Sequence, residues 1–192
     1  REYLHSCKKL SRFDHNLLTG CVTFLNTEFN GGFILAENMM CEDAINIINS
    51  KGKINEIKIF NSSYDSLDID YSNISIEKML INKAGNDCAD FSFGNYKILE
   101  SLVDNCSDKA FSFGEKSEGF VKNSLIKNSL NGVVSKDDSI VKIEDSKATE
   151  IKKFCLAAYN KKPEFEGGTI IKSNFVCTEQ NKEYKDLKSN IQ

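Results

Sequence analysis

The 192-residue chain has few of the residues that most enzymes use for acid–base and metal chemistry. Its only arginines are Arg1 and Arg12, and its two histidines are His5 and His15. It has one proline and no tryptophan. A serine–histidine triad or a histidine-ligated metal site therefore has no candidate histidine anywhere after His15.

Charge and hydrophobicity exclude further classes of protein. The 25 basic and 28 acidic residues leave a formal net charge of −3, whereas a nucleic-acid-binding surface needs a strongly basic face. No apolar run is long enough to span a bilayer. With 11 glycines and 40% hydrophobic residues, the chain is neither collagen-like nor broadly disordered. We therefore expect no nucleic-acid partner, no membrane span, and one domain or one array of repeats.

An internal repeat of about 22 residues runs through the chain. Each unit opens with alternating apolar and polar residues, as in Phe111-Ser112-Phe113, which predicts a strand with one buried face. A second apolar stretch, such as Ile57-Lys58-Ile59, follows in the second half of the unit. The units begin at nearly constant intervals, at Cys21, Ile45, Leu67, Ala89, Ala110, Gly132, Phe154 and Val176.

Asparagine recurs after the second apolar stretch of most units. In a parallel β-solenoid, equivalent residues of successive turns lie about 4.8 Å apart, so asparagines at one turn can exchange amide hydrogen bonds as a ladder. Helical repeats need longer units with 3.6-residue periodicity, and leucine-rich repeats need a fixed leucine spacing that is absent. We therefore predict an all-β parallel solenoid with an Asn ladder formed by Asn38, Asn61, Asn82, Asn105, Asn128 and Asn174, with Asp145 in the equivalent place of the unit skipped.

Three stretches carry a resemblance to known proteins: Gly85–Ser92, Ser107–Ser117 and Gly132–Ser139. They are similar to the β-helix regions of bacterial surface or secreted proteins, some of which are linked to spore-coat-protein-H-like kinases. More broadly, residues 19–178 resemble a right-handed parallel β-helix of the pectate-lyase-like class, the pectin lyase fold, with about seven rungs. The resemblance implies an extracellular or cell-surface location.

The repeat register also predicts the interior and the state of the cysteines. Seven cysteines cannot all pair within one chain, and free cysteine is often buried as a small apolar side chain. Cys155 and Cys177 are separated by one repeat length, so we predict free thiols in one interior column, where parallel Cβ vectors suit a disulfide poorly. The predicted core is Ile47, Ile59, Ile69, Ile81, Phe91, Phe93, Phe111, Phe113, Val133, Cys155 and Ile171.

The ends of the chain fall outside the repeat. We interpret residues 1–18 as an N-terminal cap or lead-in, 19–178 as the β-helix, and 179–192 as a polar C-terminal tail or cap. A short helix over Glu2–Leu10 is one form that the cap could take. Excursions from the helix are predicted at Lys147–Lys153 and Lys161–Gly168. Exposed terminal rungs offer strand edges through which chains could associate.

The catalytic patterns of β-helix enzymes do not carry over to this chain. The resemblance would imply an arginine base beside calcium-binding carboxylates in a lyase, or histidine-containing motifs in a hydrolase or epimerase. No arginine follows Arg12, no histidine follows His15, and the single proline, Pro163, lies in a Lys-Lys-Pro-Glu sequence.

A stripe of acidic and lysine residues remains as the candidate site. Carboxylates stacked in adjacent rungs raise one another's pKa or share a cation; Ca²⁺ suits such oxygen ligands, and a carboxylate pair could do glycosidic acid–base work. The alternative is that they bond local backbone and neutralise one another. We interpret Asp68 and Asp70 as a solvated face. Four phenylalanines are interpreted as interior rather than as sugar platforms, namely Phe91, Phe93, Phe111 and Phe113. The predicted binding residues are Asp87, Asp90, Asp108, Glu115, Lys116, Lys136, Asp137 and Asp138.

Two functions stay open at the level of sequence. The first is a non-catalytic module of a secreted or surface protein, either structural or binding a polysaccharide or another protein. The second is a polysaccharide-active lyase, epimerase or hydrolase that uses the carboxylate and lysine stripe. The shortage of arginine and histidine favours the first. No cofactor is implied apart from Ca²⁺.

Overall fold

Short runs of alternating apolar residues form the strands of the molecule. The computed structural model describes residues 13–179 and 182–192. The strands are, in chain order, β1 (Gly20–Leu25), β2 (Glu28–Asn30), β3 (Phe33–Glu37), β4 (Asp43–Ile48), β5 (Lys51–Ser62), β6 (Asp65–Asp70), β7 (Asn73–Ala84), β8 (Ala89–Ser92), β9 (Asn95–Ile98), β10 (Ser101–Cys106), β11 (Lys109–Gly114), β12 (Glu118–Lys122), β13 (Ser124–Lys127), β14 (Asn131–Lys136), β15 (Ile140–Thr149), β16 (Phe154–Tyr159), β17 (Thr169–Cys177), β18 (Glu183–Lys185) and β19 (Asn190–Ile191).

The strands pair in parallel into two long sheets. The first sheet has the order β1-β4-β6-β8-β11-β14-β16-β18, and the remaining strands form the second sheet. Each strand of the first sheet opens one turn, and we number the turns 1 to 8 accordingly. The predicted all-β, right-handed parallel β-helix with its regular repeat is confirmed, with about eight turns instead of seven. The described residues include no helix long and apolar enough to cross a bilayer.

The register explains both the repeat and its interruption. Leu67 pairs with Ala89 and Ala89 with Phe111, so each partner lies one repeat further along the chain. In contrast, Ile140 pairs with Thr169, which lies beyond one repeat length, because an excursion separates β16 from β17. The excursion predicted at Lys161–Gly168 is therefore present. The one predicted at Lys147–Lys153 is wrong, since β15 continues to Thr149 and β16 then begins in the ordinary register.

The last repeat unit, which begins at Val176 in the sequence, does not form a turn of its own. Val176 lies in β17, a strand of the second sheet, and does not open a turn. Turn 8 opens with β18, in which Glu183 pairs with Leu156. Residues 182–192 thus add β18 and β19 to the two sheets. The helix considered over Glu2–Leu10 lies outside the described residues.

The interior is filled mainly by alternate residues of the strands, as predicted. All of the predicted core except Phe93 and Ile171 is buried. Phe91 stacks on Phe113 with ring centroids 4.7 Å apart. The prediction that Phe93 is buried is wrong because β8 ends at Ser92. Phe93 lies at the corner after this strand with a φ of 50°, and it is 36% exposed. The prediction that Ile171 is buried is wrong by one residue, because the neighbouring Ile170 points into the interior instead.

Corner residues adopt the left-handed backbone conformation that asparagine tolerates better than most residues. One corner position, at or directly after the end of a second-sheet strand, is occupied by asparagine at positive φ in four turns, namely by Asn38, Asn61, Asn105 and Asn128. Asn61 Nδ2 donates to Asn38 Oδ1 at 2.6 Å, as expected of a ladder.

Two members of the predicted ladder lie elsewhere. Lys83 takes the corner position in turn 3, so Asn82 precedes it by one residue. Asn174 stacks with Asp145 at a different corner, where its Nδ2 donates to Asp145 Oδ1 at 2.9 Å. The asparagine ladder is therefore present in separate segments.

Three disulfides close turns of the helix on themselves. They join Cys21 to Cys41 in turn 1, Cys88 to Cys106 in turn 4, and Cys155 to Cys177 in turn 7. The first cysteines of the three pairs share one column of small residues and recur at every third turn.

The prediction of free thiols at Cys155 and Cys177 is wrong. Their spacing matches one repeat, but the excursion after β16 lengthens this turn. Cys177 therefore belongs to the same turn as Cys155 and meets it across a corner, with the two Cα atoms 6.1 Å apart. Sequence spacing alone did not distinguish stacking between turns from closure within a turn.

We predict that no more than one of the seven thiols reacts in the unfolded, unreduced chain, because six cysteines are paired and Cys7 lies outside the described residues. Thiol titration measures this number. Recovery of three or more thiols would contradict the pairing.

Replacing Cys88 and Cys106 together by serine should lower the free energy of unfolding by about 3 kcal/mol, as expected for a loop of this length. Urea denaturation of the variant and of the wild-type protein measures the difference.

Candidate functional site

The outer face of the first sheet carries most of the candidate site. Since Phe91 and Phe113 point inward, their strand neighbours Asp90 and Ser112 point outward. Register places Thr23, Asn46, Asp68, Asp90, Ser112, Val134, Ala157 and Tyr184 in one outward column across the eight turns. The chemistry of this face changes along the column, from acidic in turns 3 and 4 to aromatic and mixed in charge in turns 5 to 8.

Asp87 and Asp108 share a single lysine, Lys109, which the sequence offered as an internal counter-charge and not as one of the predicted binding residues. Lys109 Nζ lies 3.2 and 3.3 Å from the two carboxylate oxygens of Asp87 and also bonds Asp108 Oδ2. Asp108 Oδ1 accepts from Asn131 Nδ2 at 3.1 Å. Burial raises the pKa of Asp87 to about 7, although the Lys109 charge opposes the change. Internal partners therefore occupy these two carboxylates.

Lys136 and Asp90 lie together on the same face. Lys136 is 4% exposed, and its Nζ donates to Ser112 Oγ at 2.9 Å. Its distance to Asp90 Oδ1 is 3.9 Å, so the ion pair is long. Asp90 Oδ1 also accepts the backbone N–H of Phe91 at 3.0 Å.

Glu115 is held by two donors at the corner of turn 5. Ser92 Oγ donates to its Oε2 at 2.6 Å, and Lys162 Nζ lies 2.5 Å from its Oε1. Burial alone would raise the pKa of Glu115, but these hydrogen bonds hold it below its usual value. Lys116, next in the chain, lies with its Nζ 5.8 Å from the ring centroid of Phe165.

Asp137 and Asp138 anchor the excursion at residues 160–168. Asp137 is fully buried, and its Oδ1 accepts the backbone N–H groups of Lys161 and Lys162 at 2.7 and 2.8 Å. Asp138 Oδ1 accepts the N–H of Glu166 at 2.9 Å. A ligand could reach Asp137 only if the excursion opened, so this part of the predicted stripe has a structural role in the closed molecule.

Two acidic residues on the outer face of the first sheet, Asp68 and Asp70, are ones that we interpreted from sequence as a solvated face, and they lie close to Asp90 of the predicted stripe. We define the acidic cluster as Asp68, Asp70 and Asp90. Burial first, and then the charge of Asp70, raise the pKa of Asp68 well above its usual value. Burial and the neighbouring Asp90 charge raise the pKa of Asp70 to about 6. The alternation of apolar and polar residues correctly placed Asp68 and Asp70 on the outer face. It could not show that neighbouring side chains largely bury these two carboxyl groups there.

The structure also bears on the calcium site considered from sequence. Three ligand atoms of histidine, cysteine, aspartate or glutamate approach within 4.8 Å of one another only at Cys155, Cys177 and Glu179 in the described part of the chain. The two cysteines are bonded to each other. The carboxylates of the first sheet therefore do not converge as direct ligands of one small ion.

An aromatic groove lies on the same face, further along the helix. We define it by Lys109, Lys153, Phe154, Ala157, Tyr159 and Tyr184, which line an open cavity of about 630 Å³. Phe154 and Tyr184 stack with ring centroids 5.1 Å apart, and Lys153 Nζ lies 5.2 Å from the Phe154 centroid. Asp108 and Asp186 also contribute to the lining, so its charge is mixed.

No protein-family model matches the chain, and no curated protein matches it. What is shown for this chain is the parallel β-helix fold.

We predict that replacing Asp137 with alanine destabilises the excursion. The change removes two charge-assisted hydrogen bonds and should cost about 2 kcal/mol of unfolding free energy. Trypsin should then cleave after Lys161 in the folded protein. Limited proteolysis followed by mass spectrometry measures this, with Asp104→Ala on the second sheet as the control. Unchanged protection of the excursion would contradict the anchoring role.

We also predict that stability falls as pH rises from about 4 to about 8. Asp65, Asp70 and Asp87 have pKa values raised from 3.8 to about 6, 6 and 7, so the folded chain binds these protons more tightly than the unfolded chain. The loss should be on the order of 2 kcal/mol, since partial exposure and shared charge reduce the separate effects.

Denaturant unfolding at a series of pH values measures this dependence. Asp68→Asn should stabilise the protein near pH 8, because it removes one charge from the acidic cluster. Asp104→Asn provides an equal change of net charge on the second sheet and should have little effect. A flat or rising profile in the wild-type protein would show that the carboxylates are not raised in pKa.

Proposed function

We propose that the chain is a non-catalytic β-helix module of a secreted or cell-surface protein and that it binds a glycan in the aromatic groove. The observation that carries this proposal is the groove itself. Its floor contains the small residue Ala157, and the rings of Phe154 and Tyr184 lie beside it. Aromatic rings suit the apolar faces of sugar rings, while the Lys153 ammonium group and the Tyr159 hydroxyl group, which also line the groove, can donate to sugar hydroxyl groups.

The dimensions of the groove fit a chain-like ligand. Its cavity of about 630 Å³ lies within the usual range for ligand sites. A sugar chain laid along the first sheet would meet equivalent positions of successive turns about every 4.8 Å. A regular polymer can use such a regular surface without large conformational change on either side.

The disulfides support an oxidising location. Three within-turn pairs in a chain of this size are typical of secreted or surface proteins and rare in reducing compartments. They also make the module rigid, which lowers the entropic cost of binding. Association through the terminal strands, β1 and β18, stays a further prediction.

We predict that Tyr184→Ala and Phe154→Ala each weaken glycan binding by about tenfold or more, because each removes half of the stacked pair. A glycan array identifies the best ligand, and titration calorimetry with that oligosaccharide measures the dissociation constants. Phe120→Ala is the matched control, since Phe120 lines a cavity of about 580 Å³ on the second sheet.

Two outcomes of this experiment would contradict the assignment. Unchanged binding in both groove variants would show that the aromatic groove is not the site. Loss of binding in Phe120→Ala instead would move the site to the second sheet. Circular dichroism of each variant establishes that the fold is retained.

A polysaccharide-active enzyme is the second candidate, favoured by one observation. Asp70, with a pKa raised to about 6, would be partly protonated near neutral pH, as a glycosidic general acid must be. If the module is catalytic, reducing ends or unsaturated products should accumulate from the bound glycan, and Asp70→Asn should abolish them. Under the binding-module proposal, neither product accumulates in the wild-type protein.

A further inference from the structure

A row of exposed aromatic rings lies at the corner that follows the first-sheet strands. Tyr71 comes directly after β6 and Phe93 directly after β8, and their rings stack with centroids 4.7 Å apart and planes 3° apart. Tyr71 is 58% exposed. Phe165 of the excursion meets Phe93 edge-on, with ring centroids 6.4 Å apart. The row is therefore covered at the Phe93 end and uncovered at the Tyr71 end.

The backbone at this corner is unfavourable for an aromatic residue. Tyr71 and Phe93 have φ values of 51° and 50°. In turns 1 and 2 the same position holds Asn26 and Asn49, at 54° and 47°. The left-handed conformation suits asparagine better than a bulky side chain, and rings that stay exposed add little to the core. Strained positions of this kind concentrate at functional sites, so binding explains the two rings better than folding does.

A cavity of about 250 Å³, which we call the corner cavity, lies on the uncovered side of Tyr71. Tyr71 and Asn73 line it from turn 3, and its other described lining residues belong to turns 1 and 2. Because Phe93 covers one face of the Tyr71 ring, the opposite face is the one on the cavity side. Asn49 occupies the next position of the column, and its short side chain leaves uncovered the ring face that a further aromatic residue would cover.

Two asparagine ladders end at the corner cavity. Asn49 Nδ2 donates to the asparagine of turn 1 at 2.7 Å, but the next position of this column is Tyr71, which has no amide group to donate to Asn49 Oδ1. Asn95 Nδ2 donates to Asn73 Oδ1 at 2.9 Å. The next position of that column is Lys51, whose side chain has no acceptor for Asn73 Nδ2. The ladders thus leave one amide acceptor and one amide donor at the cavity.

These features favour a neutral sugar ring among the ligands that stack on aromatic side chains. A sugar hydroxyl group both donates and accepts, so it can meet Asn49 Oδ1 and Asn73 Nδ2. The charged lining residues Lys51 and Glu28 pair at 3.7 Å and leave no net charge, whereas a nucleotide phosphate needs basic partners. A purely apolar ring would leave the amide groups unpaired. The volume lies just below the usual range for drug-sized ligands, which suits one ring.

The corner cavity and the aromatic groove lie along the same corner of the helix. Asn160 lines the groove and takes in turn 7 the corner position that Tyr71 takes in turn 3. Four turns correspond to about 19 Å. A sugar chain that follows this corner can therefore place one ring on Tyr71 and another in the groove.

We propose that the corner cavity is a second sugar subsite, in which one neutral ring stacks on Tyr71, and that a single glycan chain occupies both this subsite and the aromatic groove. This inference rests on the proposed glycan-binding function, since the groove holds the other part of the chain. Phe93 supports the Tyr71 ring on its other face, and Asn49 and Asn73 bond the hydroxyl groups of the bound ring. Binding at two linked positions makes affinity depend on chain length.

The experiment compares a dimer and a hexamer of β-1,4-linked glucose, and the same two lengths of N-acetylglucosamine, by calorimetry with the full chain. A dimer occupies one subsite at a time, whereas a hexamer is longer than the separation of the two. We expect the better hexamer to bind at least about tenfold more tightly than its dimer. Tyr71→Asn should remove this gain, and Tyr71→Phe, which keeps the ring, should retain it. Tyr64→Asn is the matched control, since Tyr64 directly precedes β6 and is 47% exposed.

Stability and a local signal distinguish binding from support of the fold. Since asparagine is the residue that turns 1 and 2 hold at this corner, Tyr71→Asn should unfold at the same or a higher denaturant concentration than the wild-type protein. A purely structural ring would instead lower that midpoint when removed. The side-chain amide NMR signals of Asn49 and Asn73 report on the corner cavity directly. We expect the dimer to shift them in the wild-type protein and not in Tyr71→Asn.

The outcomes separate this inference from the proposed function. Unchanged hexamer affinity in Tyr71→Asn, without a shift of the two amide signals in the wild-type protein, would overturn the corner subsite and leave the groove in place. Loss of affinity in Tyr71→Asn but not in Tyr184→Ala or Phe154→Ala would overturn the groove and, with it, the bridging chain. Binding of neither hexamer would overturn both. A lowered unfolding midpoint in Tyr71→Asn with unchanged binding would show that the ring pair only supports the corner.

Discussion

Stacking of successive turns in register is the constraint from which the other features of this molecule follow. Because most turns contain nearly the same number of residues, each side chain lies about 4.8 Å from its equivalents above and below. Columns of isoleucine and phenylalanine gain from this arrangement, as the stack of Phe91 on Phe113 shows. The corners must repeat one backbone conformation, and positive φ there explains the recurrence of asparagine.

Stacking in register also brings side chains of like charge close together in adjacent turns. How these charges are neutralised differs along the helix. In turns 4 to 7, lysines alternate with carboxylates: Lys109 bridges Asp87 and Asp108, and Lys162 bonds Glu115. In turns 3 and 4, Asp68 is paired in register with Asp90 and Asp70 with Ser92, and these carboxylates have fewer charged internal partners. The carboxylates of this face are therefore neutralised to different extents along the helix.

The fold was predictable from sequence because periodicity is a local property, visible in Phe111-Ser112-Phe113 and in the equivalent residues of several other units. The site was less predictable. Alternation placed Asp68 outward but gave no measure of its burial, and Asp137 could not be recognised as a buried anchor without the excursion that it holds. Phe93 was predicted to be interior because the alternating sequence continues through it, and nothing in the sequence shows that β8 ends at Ser92. The spacing of Cys155 and Cys177 is compatible with stacking in two adjacent turns and with closure of one longer turn. Only the excursion that lengthens turn 7 distinguishes the two arrangements.

The placement of the disulfides connects stability to the site. In a solenoid each turn contacts only its neighbours, so a turn is stabilised by its own closure or by that of the adjacent turns. With closures in turns 1, 4 and 7, every one of the eight turns is either closed or next to a closed turn. A spacing of three turns is the widest for which this holds. Asp90 lies in closed turn 4 with Asp68 and Asp70 in the adjacent turn, and the aromatic groove surrounds Ala157 of closed turn 7. Repulsion among stacked carboxylates can therefore persist there, because the covalent closure opposes the local opening that would relieve it.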